Sequence, residues 1–352
     1  MIMANSTLTG NGTERGVSYG TQWQKELQTI EPHLPKSAFW QSESSLPLQH
    51  EIKERYMNNT RKRFPDLADE IEGIARAAGV AVSTVLDWVL IDGFLWGFDA
   101  DDINVSGDTM CTNMSITGCC DEPMLMQTVD APDAALLILH NICPADGYKH
   151  AYVGRLGSVV ATSGFNEKGL AMGSVSSYAT VRDLDGYVCG MLMRACLQYC
   201  SDVDEAVELF TKNRMMCGGY TINCMDVTGK NVVIEKTPDV QAIRHSEEPY
   251  IYNKKFVTEQ MREKNAVFYN TDLWEKRGYD RLDTFKRLME SEPKPYSVDT
   301  MVRVMSDHSE TGPIWAWSTG LGNIILPRSK KMYVFLGPPD ITSREEVTIG
   351  NL

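Results

Sequence analysis

The chain carries nine cysteines, and none lies in its first 110 residues. The first is Cys111, which follows a polar stretch from Asp99 to Met110 and opens a run with the alternation of a strand. A strand start is a rigid platform for a side chain. Cleavage of the Met110–Cys111 peptide bond would also give that cysteine a free α-amino group. An α-amine with an ordinary pKa of about 7.7–8.0 and a thiol near 8.5 are close enough to exchange a proton at neutral pH. The amine would then act as the thiol's own general base, with no histidine required. Packing is the ordinary role of a cysteine that begins a strand, and position alone does not choose between the two readings. The remaining cysteines read as core or turn thiols: Cys196 and Cys200 share an apolar helix with no histidine nearby, and Gly118-Cys119-Cys120 lies in a turn. The six histidines (33, 50, 140, 150, 245 and 308) are scattered, and none pairs with another at helical metal-ligand spacing. There is no phosphate loop, dinucleotide fingerprint, HExxH or paired CxxC, so neither a metal nor a cofactor is expected.

The elements that must position such a cysteine change character at residue 110. A chain of 352 residues is long enough for a sizeable core. Its net charge of −13 disfavours nucleic acid, whose phosphates need a basic surface. An odd number of cysteines at irregular spacing does not read as a disulfide framework. The opening MIMANSTLTGNGTERG has no apolar core of signal-peptide type, and the most apolar stretch, Val85 to Phe98, carries Asp87 and Asp92. A reducing cytoplasm and no membrane are the expectation. Residues 1–110 read as helical. Pro65 to Gly79 places Leu67, Ile71, Ile74, Ala75 and Ala78 on one stripe, with proline and acids in the first turn and glycine to cap the end. Helices are also expected near 17–32, 47–63 and 85–98. From Cys111 the period becomes that of strands: 111–117, 124–130, 134–141, 150–154, 158–163 and 170–174, then helices near 187–199 and 202–212. Strands near 219–226, 231–236 and 249–253, helices near 275–290 and 296–306, and strands near 313–318, 322–327 and 331–336 complete an α+β pattern of stacked sheets covered by helices.

Six segments, taken in order, resemble the acyl-CoA:6-aminopenicillanic acid acyltransferase (isopenicillin N acyltransferase) family of N-terminal-nucleophile hydrolases. They are Glu14-Arg-Gly-Val-Ser-Tyr-Gly20; Arg63-Phe-Pro-Asp with Glu70-Ile-Glu-Gly-Ile-Ala75; Cys111-Thr112 with Pro123-Met-Leu-Met-Gln-Thr-Val-Asp130; Gly164-Phe-Asn-Glu-Lys-Gly-Leu170; Tyr252-Asn253-Lys-Lys-Phe256; and Lys331 to Pro338. The fourth matches the family's "GFNEKGL". The resemblance implies an αββα sandwich made as a precursor, with a helical pro-segment over 1–110 and a catalytic region over 111–352. Cleavage between Met110 and Cys111 would leave two associated chains. It implies Cys111 as nucleophile, Asp130 as the holder of the new α-amino group, and Asn253 as an oxyanion donor. Gln127 takes the place of a family residue beside the nucleophile, and Ser176 stands where related bile-salt hydrolases carry a second oxyanion asparagine. The implied substrates are small amides, thioesters or amines, with acyl-CoA as an acyl donor and no bound cofactor.

Departures from the family pattern bear on substrate. Met110 stands where glycine usually precedes the nucleophile, Gln-Thr-Val-Asp replaces "QNWD", and Lys254 replaces a histidine beside Asn253. The family's "SICR" region reads Pro313-Ile-Trp-Ala-Trp317, so an arginine fork for a carboxylate is missing there. Trp317 would favour an apolar or cationic group instead, unless Trp315 and Trp317 are sheet core. The rival reading is a catalytically inactive homologue that keeps the fold as a binding scaffold.

Overall fold

The computed structural model describes residues 3–29, 38–97, 111–130, 136–177, 179, 181–245, 250–253, 256–264 and 271–349. The whole linker expected over 99–110, Met110 included, and Lys254 lie outside the described residues.

The first hundred residues supply helices α1 (Gly12–Gln22), α2 (Gln24–Thr29), α3 (Ala38–Gln41), α4 (Leu46–Arg63), α5 (Pro65–Ala78) and α6 (Val82–Gly97). The expected stripe on α5 is buried, and Gly79 caps it in the left-handed region at φ 72°. Helix α1 lies against α5 because Gly12, Gly16 and Gly20 face it. A Cβ on Gly16 would come 2.2 Å from the Glu70 carbonyl oxygen, so no other residue permits that approach.

The segment is not wholly helical, however. Strand β1 (Asn5–Gly10) precedes α1 and pairs in parallel with β4 (Leu137–Pro144), Asn5 opposite Leu139 and Gly10 opposite Pro144. Its alternation is short and polar, with only Ser6 and Leu8 buried among exposed neighbours, so it gives little sequence signal.

Two sheets follow. The eight-stranded sheet runs β1, β4, β5 (His150–Arg155), β6 (Ser163–Asn166), β7 (Ala171–Ser176), β8 (Tyr220–Met225), β9 (Asn231–Lys236), β10 (Gln241–His245). The six-stranded sheet runs β11 (Tyr250–Asn253), β2 (Thr112–Ile116), β3 (Met124–Asp130), β12 (Thr319–Leu326), β13 (Lys331–Phe335), β14 (Arg344–Thr348). Three apolar clusters define four layers. One joins the N-terminal helices, α7 (Cys189–Tyr199) and α8 (Val203–Lys212) to the outer face of the eight-stranded sheet. A second, with Leu125, Val129, Ala171, Leu321 and Ile325, lies between the sheets. The third, with Met114, Met126, Phe285, Met301 and Ile324, packs α10 (Thr271–Ser291) and α11 (Val298–Met305) on the six-stranded sheet. The fold is the expected αββα sandwich. A short helix, α9 (Glu259–Arg262), lies between β11 and α10.

Residues 313–318 do not form the expected strand. The Asp307 side chain and carbonyl accept the N–H groups of Ile314 (3.3 Å) and Trp315 (2.9 Å), turning the chain away from a ladder, and Pro313 has no N–H to offer one. The strand expected at 158–163 begins only at Ser163, and β10 and β14 are additional. Both are half-exposed edge strands rich in polar residues, and such strands lack the apolar alternation that sequence reading depends on. Among the described residues, no helix is long and apolar enough to cross a membrane.

Candidate active site

Strand register brings three of the candidate residues to one end of the six-stranded sheet. Thr112 pairs with Thr128, Asn253 with Asn113, and Thr319 with Asp130. The start of β2, carrying Cys111, therefore lies beside the ends of β3 and β11, which carry Asp130 and Asn253, and near the start of β12.

The pleat divides these strands by face. Met114, Ile116, Met124 and Met126 pack toward α10 and α11, and Thr112, Thr128 and Asp130 share their parity. Cys111 is half-buried and packs against the cluster between the sheets. Asp130 thus stands on the outer face, opposite to the thiol. Its carboxylate is fully buried and accepts from Arg281 Nη2 at 3.0 Å and Thr319 Oγ1 at 2.5 Å. Arg281 Nη1 also donates to Thr112 Oγ1 at 2.9 Å. One guanidinium from α10 therefore spans the end of β3 and the residue after Cys111. Thr319 is itself held, since its Oγ1 accepts from the Ala316 N–H at 3.0 Å.

On the inner face a polar ladder crosses between the sheets. Gln127 Oε1 accepts from the Ser174 N–H at 3.1 Å and from Asn113 Nδ2 at 3.4 Å, while its Nε2 donates to the Ser174 carbonyl at 3.1 Å. Asn223 Nδ2 donates to Asn113 Oδ1 at 2.8 Å and to Ser115 Oγ at 3.2 Å, and Asn231 Nδ2 donates to Ser115 Oγ at 2.7 Å. Asn113, Asn223 and Gln127 are almost wholly buried, so each unmade bond would carry its full desolvation cost. Gly173 makes room for the ladder: a Cβ there would sit 2.4 Å from both Asn113 Nδ2 and Gln127 Oε1.

The other candidates are placed differently. Gln127 is committed to the Ser174 backbone, within the sandwich. Ser176 ends β7 and is half-buried. Ala171 belongs to the cluster between the sheets and Met172 to the outer one, so Ser176 has the parity of the outer face, away from Cys111. Trp317 is 76% exposed in the turn before β12, whereas Trp315 is buried against α11 and β12, so only one of the two indoles is core. Cys196 and Cys224 are core thiols, as expected, and burial pushes both well up from the ordinary thiol value.

Sequence reasoning missed Arg281, Thr319 and the Asn113–Asn223 pair. For Arg281 a signal existed: Arg281, Phe285 and Met289 recur at helical spacing, and the latter two are buried, so the arginine lies on the core-facing side of α10. Among the described residues, no group of three or more His, Cys, Asp or Glu could hold a metal ion.

Residues 122–320, more than half of the chain, match the family described as acyl-coenzyme A:6-aminopenicillanic acid acyl-transferase. The match includes Asp130, Asn253 and Arg281 and begins past Cys111. No curated protein sequence matches the chain. Similar solved structures include an N-acylethanolamine-hydrolyzing acid amidase ortholog from Caenorhabditis elegans, at 13% identity and TM-score 0.48, covering 62% of this chain and 93% of that one. Penicillin V acylase from Agrobacterium tumefaciens is 17% identical with TM-score 0.46, covering 69% and 87%. A mutant conjugated bile acid hydrolase from Clostridium perfringens is 11% identical with TM-score 0.48, covering 69% and 93%.

Proposed function

The chain belongs to the acyl-coenzyme A:6-aminopenicillanic acid acyl-transferase family, and from that premise we propose that it is activated by cleavage before Cys111 and works through an acyl-enzyme on that thiol. Its broad chemistry is that of an enzyme of amide hydrolysis or acyl transfer. The single observation that carries the finer reading is the convergence of strand ends, with Cys111, Asp130 and Asn253 on adjacent strands at one end of one sheet.

In the proposed activation, the Cys111 thiol attacks the Met110 carbonyl. The Met110–Cys111 C–N bond breaks as the nitrogen takes up the thiol proton, leaving Met110 as a thioester. Water then cleaves the thioester, giving a Met110 carboxylate and a Cys111 with free α-amine and free thiol. In turnover that α-amine takes the thiol proton as sulfur attacks a substrate carbonyl. Asn253 donates to the oxygen that becomes negative in the tetrahedral intermediate. The leaving amine or thiol departs with the proton, and water or an acceptor amine then takes the acyl group from sulfur.

Asp130 stands on the face opposite the thiol. That suits a carboxylate that grips the backbone-derived α-amine and leaves the sulfur to the substrate. Arg281 fixes that carboxylate and, through Thr112, the residue next to the amine. The substrate is a small amide or thioester, with acyl-CoA a candidate donor and no bound cofactor. The two products, 1–110 and 111–352, stay together: β1 is a strand of the catalytic region's sheet, and Arg15 and Arg194 share the Glu70 carboxylate across the boundary. A reducing cytoplasm suits the thiol. Intact-mass measurement of the purified protein tests the reading. Two chains split at Cys111, or a thioester at that residue, are expected; an unprocessed wild-type chain without one overturns it.

A further inference from the structure

Glu235 is a fully buried carboxylate that the chemistry above does not use. It is the penultimate residue of β9, on the face turned toward the six-stranded sheet, since it shares parity with Asn231, whose amide bonds Ser115 on β2. Asn231 lies under the Ser115 end of β2, so Glu235, four residues along, lies under the end where Asn113 pairs with Asn253.

What it holds there is the chain leaving β11. Val257 N–H donates to both carboxylate oxygens, at 3.1 and 3.3 Å, and the Thr258 N–H and hydroxyl donate to Oε2 at 3.1 and 2.8 Å. Arg244 on β10 places its Nε 3.3 Å from Oε1. Beside them Phe256 is buried on Gly219, where a Cβ would come within 2.6 Å of its ring. Strand β11 thus belongs to the six-stranded sheet, and within a few residues the chain is pinned to the eight-stranded one. Val257 follows Asn253 by four positions, a span of ~14 Å at most. Burying a carboxylate costs several kcal/mol unless hydrogen bonds and an opposite charge offset it, as these do. A surface loop with no positional duty needs no such anchor.

We propose that Glu235 is a positioning residue: its carboxylate fixes the exit of β11 and thereby the place of Asn253 at the Cys111 end of the sheet. This rests on the reading of Asn253 as the oxyanion donor. The test is a double-mutant cycle on purified full-length protein. Hydrolysis of p-nitrophenyl butyrate is followed, with the Cys111→Ala rate subtracted. Asn253→Ala is expected to lower kcat by about 10²–10³-fold, the usual effect of losing one oxyanion donor. Glu235→Gln, which keeps the shape but removes the charge, is expected to lower kcat about 10-fold or more with KM unchanged and iodoacetamide labelling of Cys111 unchanged. In the Asn253→Ala background it should cost nothing further. Glu235→Asp should recover part of the loss. If Glu235→Gln folds poorly, Thr258→Val removes one of the same bonds and should show a smaller loss with the same non-additivity. Losses that multiply in the double variant, or full activity in Glu235→Gln, overturn the positioning role alone. Full activity in Asn253→Ala overturns both it and the oxyanion reading.

Discussion

Two of the polar clusters that interrupt the apolar packing differ in kind, one under the outer face of the eight-stranded sheet and one at the end of the six-stranded sheet. The outer cluster is built on Glu70, which takes Arg15 Nε at 2.9 Å, Arg15 Nη2 at 2.7 Å and Arg194 Nη2 at 3.4 Å. Arg194 in turn bonds Gln198, and its guanidinium lies 5.3 Å from the Tyr152 ring centre. His140 stacks on Tyr152 with ring centres 4.4 Å apart, and Tyr19 stacks on His140 at 5.5 Å. The cluster at the sheet end holds Cys111, Asp130 and Arg281, with no histidine among its described members. By inventory of titratable groups the outer cluster is the more obvious place for chemistry. Its members are, however, buried almost to the last atom, while Cys111 is half-exposed at a strand start. Density of charge and imidazole here marks a joint between two parts of the chain. The position proposed as reactive is distinguished by access and by strand ends that converge.

Mutation should separate the two clusters, one by activity and the other by stability. Cys111→Ala should abolish turnover, a fall of roughly 10⁴–10⁶-fold, and leave a single chain on denaturing gels with an unchanged melting temperature. Glu70→Ala should do the reverse. It takes from Arg194 its carboxylate and leaves Arg15 only that of Asp66 at 2.6 Å, and should cost about 3 kcal/mol in urea unfolding, while the folded fraction keeps its Cys111-dependent activity. Loss of activity in folded Glu70→Ala, beyond the loss of fold, would show the two clusters to be coupled.

Acid should act first on the outer cluster. Burial, and then the Arg194 charge, push His140 down to about 3, and His150 is pushed well below its ordinary value for the same reasons. His140 is neutral in the folded state and protonated in the unfolded one between about pH 6.5 and 3, and His150 likewise stays neutral in the fold as pH drops through its ordinary value, so the unfolded chain binds more protons there. Stability is therefore complete above about pH 6.5 and falls as pH drops, by up to about 1.4 kcal/mol per pH unit for each such proton. Urea titrations at pH 7, 5.5 and 4.5 check this. In His140→Phe the fall between them should be shallower, and an unchanged slope would remove His140 from the account.

The ladder between the sheets should give a smaller effect that falls on both properties. Gln127→Ala removes the side-chain bonds to the half-buried Ser174 backbone, whose N–H keeps the Thr162 carbonyl at 3.2 Å, and takes one acceptor from the buried Asn113 amide, at about 1 kcal/mol. Because Gln127 ties β3 to β7 behind Cys111, a fall in kcat should accompany it, with KM unchanged. A rise in KM alone would instead mean that Gln127 touches substrate.

How much of this was legible in the sequence follows from how local each signal is. Helix α5 was, because its stripe, its first-turn proline and Gly79 act within a few residues of one another. So were β2 and β3 with Cys111 and Asp130 at their ends, because a strand and its turn are contiguous. Arg281 was legible only as a core-facing position, through its spacing to Phe285 and Met289; its partners Thr112 and Asp130 are far away in the chain, so its role was not. Nor was β1, whose pairing with β4 is long-range and parallel. The apolar residues of 313–318 have the look of a strand, but Asp307 takes the N–H groups of Ile314 and Trp315. Ser176 fell on the outer parity because a one-residue difference in a strand exchanges faces.

Trp317 gives the smallest stability effect and the finest test of the sheet-end cluster. It stands two residues before Thr319, which bonds Asp130, yet its side chain is 76% exposed and adds little to the core. Trp317→Ala should therefore move stability by less than about 0.5 kcal/mol. If the exposed indole forms a wall for the acyl or amine group of the substrate, the same change should raise KM for apolar or cationic substrates several-fold, through lost contact area and cation–π attraction worth about 0.5–1 kcal/mol at such a site. Small neutral acyl groups should be unaffected. Comparing p-nitrophenyl acetate with p-nitrophenyl octanoate in the variant reads this directly. An equal KM change for both would place Trp317 outside the substrate's reach and leave its exposure a surface accident.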